Sequence, residues 1–124
     1  VAVATPAELR FWPKSLPYGF GPYRCVVDRI VDADTLVVMV DCGLGQYPFV
    51  AVRISGVDAP EIGTPEGKAA RAWLEEFVPP GSPLLLRTHG RSFERWVGSL
   101  LAHDGKDLAS ELVRNGYATW VREA

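Results

Sequence analysis

Cys25-Val26-Val27-Asp28-Arg29-Ile30-Val31-Asp32-Ala33-Asp34-Thr35-Leu36-Val37-Val38-Met39-Val40 decides the fold. Two runs rich in β-branched residues flank Asp32-Ala33-Asp34, whose short carboxylates favour turns, so the stretch reads as a β-hairpin. Gly43-Leu44-Gly45 makes the next turn, and Phe49 to Ile54 supplies a third strand that ends at Ser55-Gly56. Three consecutive strands of this kind form a meander.

Downstream the period changes. Thr64-Pro65-Glu66 reads as N-cap, N1 and N2 of a helix running to Phe77, with Ala69, Trp73 and Phe77 on one stripe and Ala70 and Leu74 beside it. Pro79-Pro80-Gly81 closes that helix. Leu84 to Thr88 is a fourth strand and Trp96 to Ala102 a fifth. Asp107 then caps a second helix, Leu108 to Asn115, ended by Gly116, with Leu108, Leu112 and Val113 as its apolar face. The order strand-strand-strand-helix-strand-strand-helix specifies an α+β, mainly β domain: a five-stranded barrel of the OB type with two packed helices.

Upstream, Val1 to Pro22 carries Pro6, Pro13, Pro17 and Pro22 among Phe11, Trp12, Tyr18 and Phe20, with no helical or alternating period. It reads as an extended N-terminal arm over residues 1–22, followed by the barrel domain over 23–124. The aromatics of the arm are expected to pin it to the domain surface or to a protein partner, alternatives the sequence leaves open.

At 124 residues, one domain with a single core is expected. No apolar run approaches the roughly 20 residues that span a bilayer, so the expectation is a soluble chain without membrane insertion. Val1 to Arg10 has neither the basic nor the apolar region of a secretory signal, and the absent initiator Met leaves the compartment undetermined. Cys25, Cys42, His89 and His103 lack zinc-type spacing. The two cysteines are expected to be buried, unbonded thiols, although the hairpin places them nearly opposite one another. A formal net charge of -2 argues against a broad basic face for duplex DNA, so any recognition of phosphate must be local.

The local chemistry lies in two acidic clusters separated by an arginine: Asp32-Ala33-Asp34-Thr35, then Arg53, then Asp58-Ala59-Pro60-Glu61. Carboxylates and backbone carbonyls suit a hard cation such as Ca²⁺, and guanidinium forks suit phosphate oxygens. Together these residue types point to metal-assisted chemistry on a phosphate ester. Taken singly, Asp34 is an ordinary turn residue and Asp58 and Glu61 ordinary loop carboxylates. An arginine in an otherwise apolar strand is harder to dismiss, because its charge needs a partner.

From Tyr23 to Val121 the chain resembles the staphylococcal nuclease-like, or thermonuclease, family. Asp32-Ala33-Asp34-Thr35 stands for the family's Asp-Gly-Asp-Thr, and Val52-Arg53-Ile54 through Asp58-Ala59-Pro60-Glu61 for its arginine strand and Asp-x-Pro-Glu. Phe93-Glu94-Arg95 stands for its aromatic-x-Arg, and Leu112 to Ala118 for its Leu-Val-x-x-Gly-x-Ala helix end. The resemblance implies a Ca²⁺-dependent phosphodiesterase that cuts DNA and RNA with little sequence specificity and leaves 3′-phosphate ends. It implies Asp34 and Asp58 as side-chain metal ligands, Ala59 as a carbonyl ligand, and Asp32 as a ligand through water. Glu61 becomes the general base, Arg53 and Arg95 the phosphate grip, and Phe93 a substrate-stacking residue. An OB-type groove favours single-stranded or flexible substrate.

Four departures bear on this. Ala59 replaces a common threonine, which a carbonyl ligand tolerates. Phe93 replaces a tyrosine and lacks its hydroxyl. Arg122 stands where a base-binding tyrosine is usual, and Ala109 where a helix-starting asparagine is usual. The rival reading is a non-catalytic barrel that binds nucleic acid or protein without cutting.

Overall fold

The computed structural model describes residues 20–92 and 95–121. Seven strands and two helices follow one another as β1 (Phe20–Asp32), β2 (Thr35–Val40), β3 (Phe49–Ile54), β4 (Val57–Asp58), α1 (Pro65–Phe77), β5 (Pro83–Ser92), β6 (Arg95–Ala102), α2 (Leu108–Arg114) and β7 (Thr119–Trp120). Five of the strands close a barrel in the order β1-β2-β3-β6-β5, with β5 returning to pair with β1. All barrel pairings are antiparallel except β3 with β6, the parallel contact made possible by the crossover through α1. The expected α+β, OB-type barrel is the architecture observed.

Alternation fills the interior. Leu36, Val38 and Val40 of β2 face in, as do Val52 and Ile54 of β3, Leu84 and Leu86 of β5, and Leu100 and Ala102 of β6, all buried. Helix α1 adds Ala70 and Leu74 to this core, and α2 adds Leu108, Ala109 and Leu112. Both helix caps form as the sequence predicts: Thr64 Oγ1 accepts from the Gly67 N–H at 3.0 Å, and Asp107 Oδ2 accepts from the Ser110 N–H at 3.1 Å. No helix among the described residues is long and apolar enough to cross a membrane.

Several local expectations are corrected. Ala69 is exposed, and the buried face of α1 is Gly67, Ala70 and Leu74, with Trp73 turned to stack on Phe77 and Tyr117 at 5.2 Å from each. Strand β5 runs on to Ser92, because its ladder with β6 continues through the polar pairs Arg87 with Ser99 and Arg91 with Trp96. Residues 20–22, read as the end of the arm, are the first of β1, while the rest of the arm lies outside the described residues. Cys25 is buried and free as expected, but Cys42 is free and exposed.

Candidate active site

Register brings the first acidic cluster and the arginines to one place. Asp32 pairs with Thr35 across the β1–β2 turn, Thr35 pairs with Arg53 on β3, and Arg53 pairs with Val97 on β6, two residues from Arg95. Leu36, Val52 and Ile54 point into the barrel, so their neighbours Thr35 and Arg53 point out. The Ile54 N–H donates to the Asp34 carbonyl at 2.8 Å, tying the turn to β3.

The second acidic cluster is folded against the first by a small sheet. Strand β4 pairs with β7, Val57 with Trp120 and Asp58 with Thr119. Past it, the Ala59 N–H reaches Asp34 Oδ2 at 3.5 Å, so residues 25 apart in sequence meet at one carboxylate. The main chain of Glu61 is then fixed by α1: its carbonyl accepts from the Thr64 N–H at 3.0 Å and from Thr64 Oγ1 at 2.7 Å. Gly67 lies directly beneath that carbonyl, where a Cβ would collide with the Glu61 carbonyl carbon and oxygen.

Arg53 is the hub. Its Nη1 lies 3.6 Å from Asp34 Oδ2 and its Nη2 lies 3.7 Å from Asp58 Oδ1, while Nη1 donates to the Ile54 carbonyl at 2.9 Å. The two carboxylate contacts are ion pairs beyond hydrogen-bond length. The Asp34 side chain is 14% exposed and that of Asp58 65%, so one wall of the cluster is enclosed and the other open to solvent. Arg95 joins from β6: its Nη1 donates to Thr35 Oγ1 at 3.1 Å, and Thr35 Oγ1 donates to Asp34 Oδ1 at 3.2 Å. Asp34 thus links both guanidinium groups, one directly and one through a buried hydroxyl.

Asp32 feels the same assembly. Burial, and then the charge of Asp34, push its carboxyl above the usual carboxylate range, while Arg95, Arg53 and Arg71 pull it back. Arg71 is held in place by α1, its Nε and Nη2 donating to the Ile30 carbonyl at 3.3 and 3.1 Å.

The structure therefore brings together Asp32, Asp34, Arg53, Asp58, Ala59 and Arg95, with the Glu61 backbone anchored next to them. The Glu61 side chain is exposed and makes no hydrogen bond or ion pair among the described residues. Phe93 lies outside the described residues. Among the described residues no group of three or more Asp, Glu, His or Cys side chains is arranged to hold a metal. Sequence reasoning quoted Thr35 within the first acidic cluster without giving it a role, and passed over Arg71 and Gly67. Only the last left a signal, as a glycine near the start of a helical pattern.

Residues 51–124 match the family model described as staphylococcal nuclease homologue. The chain belongs to this family. The matched residues include Arg53, Asp58, Ala59, Glu61 and Arg95 but begin after Asp32 and Asp34, which the barrel register sets alongside them. One relative of this staphylococcal nuclease homologue is the endonuclease YhcR of Bacillus subtilis (strain 168), 32% identical over 116 residues. That match covers 82% of this chain and 9% of YhcR, so the chain spans less than a tenth of that relative's length.

Proposed function

We propose that the chain is a calcium-dependent nuclease that hydrolyses phosphodiester bonds of DNA and RNA with little sequence preference and leaves 3′-phosphate ends. The observation that carries the reading is Arg53 lying between Asp34 and Asp58, which come from two separate loops, with Arg95 tied to the same Asp34 through Thr35. A barrel built only to be stable has no use for so many charges at one point, because isolated surface ion pairs contribute about 0–1 kcal/mol each.

The donor set suits Ca²⁺. Asp34 and Asp58 offer carboxylate oxygens, the residue 59 backbone approaches Asp34 through its N–H, and the Ala59 carbonyl and a water on Asp32 are the further oxygen donors of the proposed set. All are hard oxygen donors, and water and substrate oxygens are the usual remainder of a calcium shell. Bound there, the ion would offset charge on the phosphate as a Lewis acid.

The chain's own groups supply the rest. Arg53 meets its carboxylates at ion-pair rather than hydrogen-bond distance, which leaves N–H donors for phosphate oxygens, and Arg95 is held from β6 to grip the same group. Each such donor aimed at developing charge is worth about 3–4 kcal/mol in the transition state. Glu61, projecting from an anchored backbone with its carboxylate unengaged, takes the proton from the attacking water. Phe93, two residues before Arg95, is the candidate for stacking on a substrate base, and a single or flexible strand fits that role.

The test is hydrolysis of single-stranded DNA in calcium and in chelator, with Arg53→Ala and Glu61→Gln beside the parent. Cleavage should require calcium, leave phosphatase-sensitive 3′ ends, and fall by about 10²-fold or more in each variant, the range for removing one such donor. Equal rates in chelator, or in either variant, would sink the assignment.

A further inference from the structure

Strands β1, β3 and β6 begin at one end of the barrel, where β2 and β5 finish. There the inward-facing residues of all five strands line a cavity of about 410 Å³: Tyr23, Val40, Val50, Leu86, Thr88 and Trp96. Register puts these side chains on the interior face, since Tyr23 pairs with Leu86, Val50 with Val38 and Trp96 with Val52, and all three partners are buried in the barrel. The described lining contains no Asp, Glu, Lys or Arg. Both helices serve the other end: Arg71 of α1 holds the Ile30 carbonyl near the end of β1, and Asp107, the cap of α2, bridges to Leu101 near the end of β6. Among the described residues neither helix contributes to the lining. The connection from β2 to β3 also lies at the open end, where Leu44, Tyr47 and Phe49 are exposed. Exposed apolar groups around an apolar cavity mark a docking surface.

The occupant follows from where the chain leads. Phe20, the first described residue, pairs with Thr88, which lines the cavity, and Tyr23 lines it three residues later. Residues 1–19 therefore join the barrel at the rim of the cavity. The stretch from Phe11 to Gly19 carries Phe11, Trp12, Leu16 and Tyr18 against the single charge of Lys14, so its chemistry matches the uncharged lining. Trp12 stands eight residues before Phe20, a reach of up to about 26 Å in extended chain. Between them, Leu16-Pro17-Tyr18-Gly19 has proline and glycine where a type I turn favours them, and the prolines lower the entropy cost of ordering the segment.

We propose that the open end of the barrel is the docking site of this chain's own N-terminal arm, with Phe11 and Trp12 seated against Tyr23 and Trp96. Attachment at the rim favours this occupant over a separate molecule, because a short linker presents the arm at roughly millimolar effective concentration. Aromatic side chains gain most from such burial, and aromatic pairs add to it. Cys42 reports on the contact: it lines the same cavity as a free, exposed thiol, whereas Cys25 is buried.

The test is the rate at which a maleimide labels Cys42 in the full chain, for the parent, W12A, K14A, W96A and W12A/W96A. The docked arm should slow labelling of the parent, so that W12A labels about ten-fold faster, the effect of losing about 1.4 kcal/mol of local protection. K14A, which keeps the aromatic anchors, should label like the parent. W96A should also label faster, and W12A/W96A no faster than the faster single variant, because groups in contact are not additive. If W96A does not melt cooperatively, W12A against K14A decides. Equal rates for the parent and W12A would overturn the proposal, as would multiplying effects of W12A and W96A. Protection by an oligothymidylate in chelator that W12A leaves unchanged would assign the cavity to nucleic acid instead. Labelling that slows with protein concentration in the parent and W12A alike would assign it to a second copy of the chain; either result overturns docking of the arm.

Discussion

Gly67→Ala separates what helix propensity says from what the site requires. Gly67 is the third residue of α1, where alanine in place of glycine should stabilise an ordinary helix by about 1 kcal/mol. Here the added methyl would collide with the Glu61 carbonyl carbon and oxygen and stand 2.8 Å from the Pro60 carbonyl oxygen. These are main-chain atoms, so no rotamer change relieves the clash; the helix start and the 60–61 segment must move apart. Overpacking of this kind costs about 1–3 kcal/mol. Set against the propensity gain, the net is a loss of up to about 2 kcal/mol, or up to roughly 8 °C in melting temperature for a domain of this size. The segment that moves carries Glu61, the proposed general base, and a displacement of about 1 Å at such a group costs on the order of 10²-fold in rate. Thermal melting by circular dichroism and single-stranded DNA hydrolysis in calcium should both register the change. A Gly67→Ala protein that melts higher than the parent and cuts at the parental rate would refute the argument that this glycine is a spacer beneath the Glu61 backbone.

Two further perturbations follow from the titrating groups. Burial holds the Cys25 thiol up at about 11 from its ordinary 9.0. The native state therefore keeps a proton that the unfolded chain releases; the associated stability is intact below pH 9 and lost between about 9 and 11, roughly 2–3 kcal/mol in all. Denaturation midpoints across that range should fall more steeply for the parent than for Cys25→Ala, and a native-state alkylating reagent should label exposed Cys42 alone; two labels per native chain would contradict this. Asp32→Asn should raise the melting temperature at neutral pH, because folding disfavours the Asp32 charge, and the gain should vanish as acid protonates the parent's carboxyl; a lower melting temperature at pH 7 would contradict the burial and Asp34 repulsion that raise it.

Much of the barrel was legible because its signals are local. The Asp32–Thr35 turn, the Thr64 and Asp107 caps and the β-branched runs each specify structure within a few residues, and all appear where the sequence predicts them. The inward face of α1 was legible in part: Ala70 and Leu74 are buried and Trp73 and Phe77 pack against the core, but Ala69 is exposed and Gly67, which no hydropathy pattern marks, is buried under the Glu61 carbonyl. The β4–β7 pair escaped notice because two-residue strands have no period to detect. Cys42 was expected to be buried because cysteine usually is, but it lies beyond the end of β2 in the exposed turn before Phe49.

The elements that supply each charge explain why the candidate site takes its form. Both guanidinium groups stand on barrel strands, Arg53 on β3 and Arg95 on β6, whose mutual register is set by parallel pairing from Val52 with Trp96 to Ile54 with Gly98. The carboxylates come from turns and short extensions: Asp34 from the β1–β2 turn, Asp58 from the two-residue β4, and Glu61 from the loop before α1. Rigid strands therefore fix the groups proposed to bind a phosphate of constant shape. Carboxylates proposed to gather around a cation can adjust, as suits an ion whose coordination number and geometry vary. Asp34 is the exception that joins the two sets, since it is the more enclosed of the two carboxylates paired with Arg53 and is bound to Arg53 directly and to Arg95 through Thr35. Its position makes the two arginines and the acidic cluster a single unit, so that a change at any one of them is expected to shift the others and double substitutions within it should not be additive.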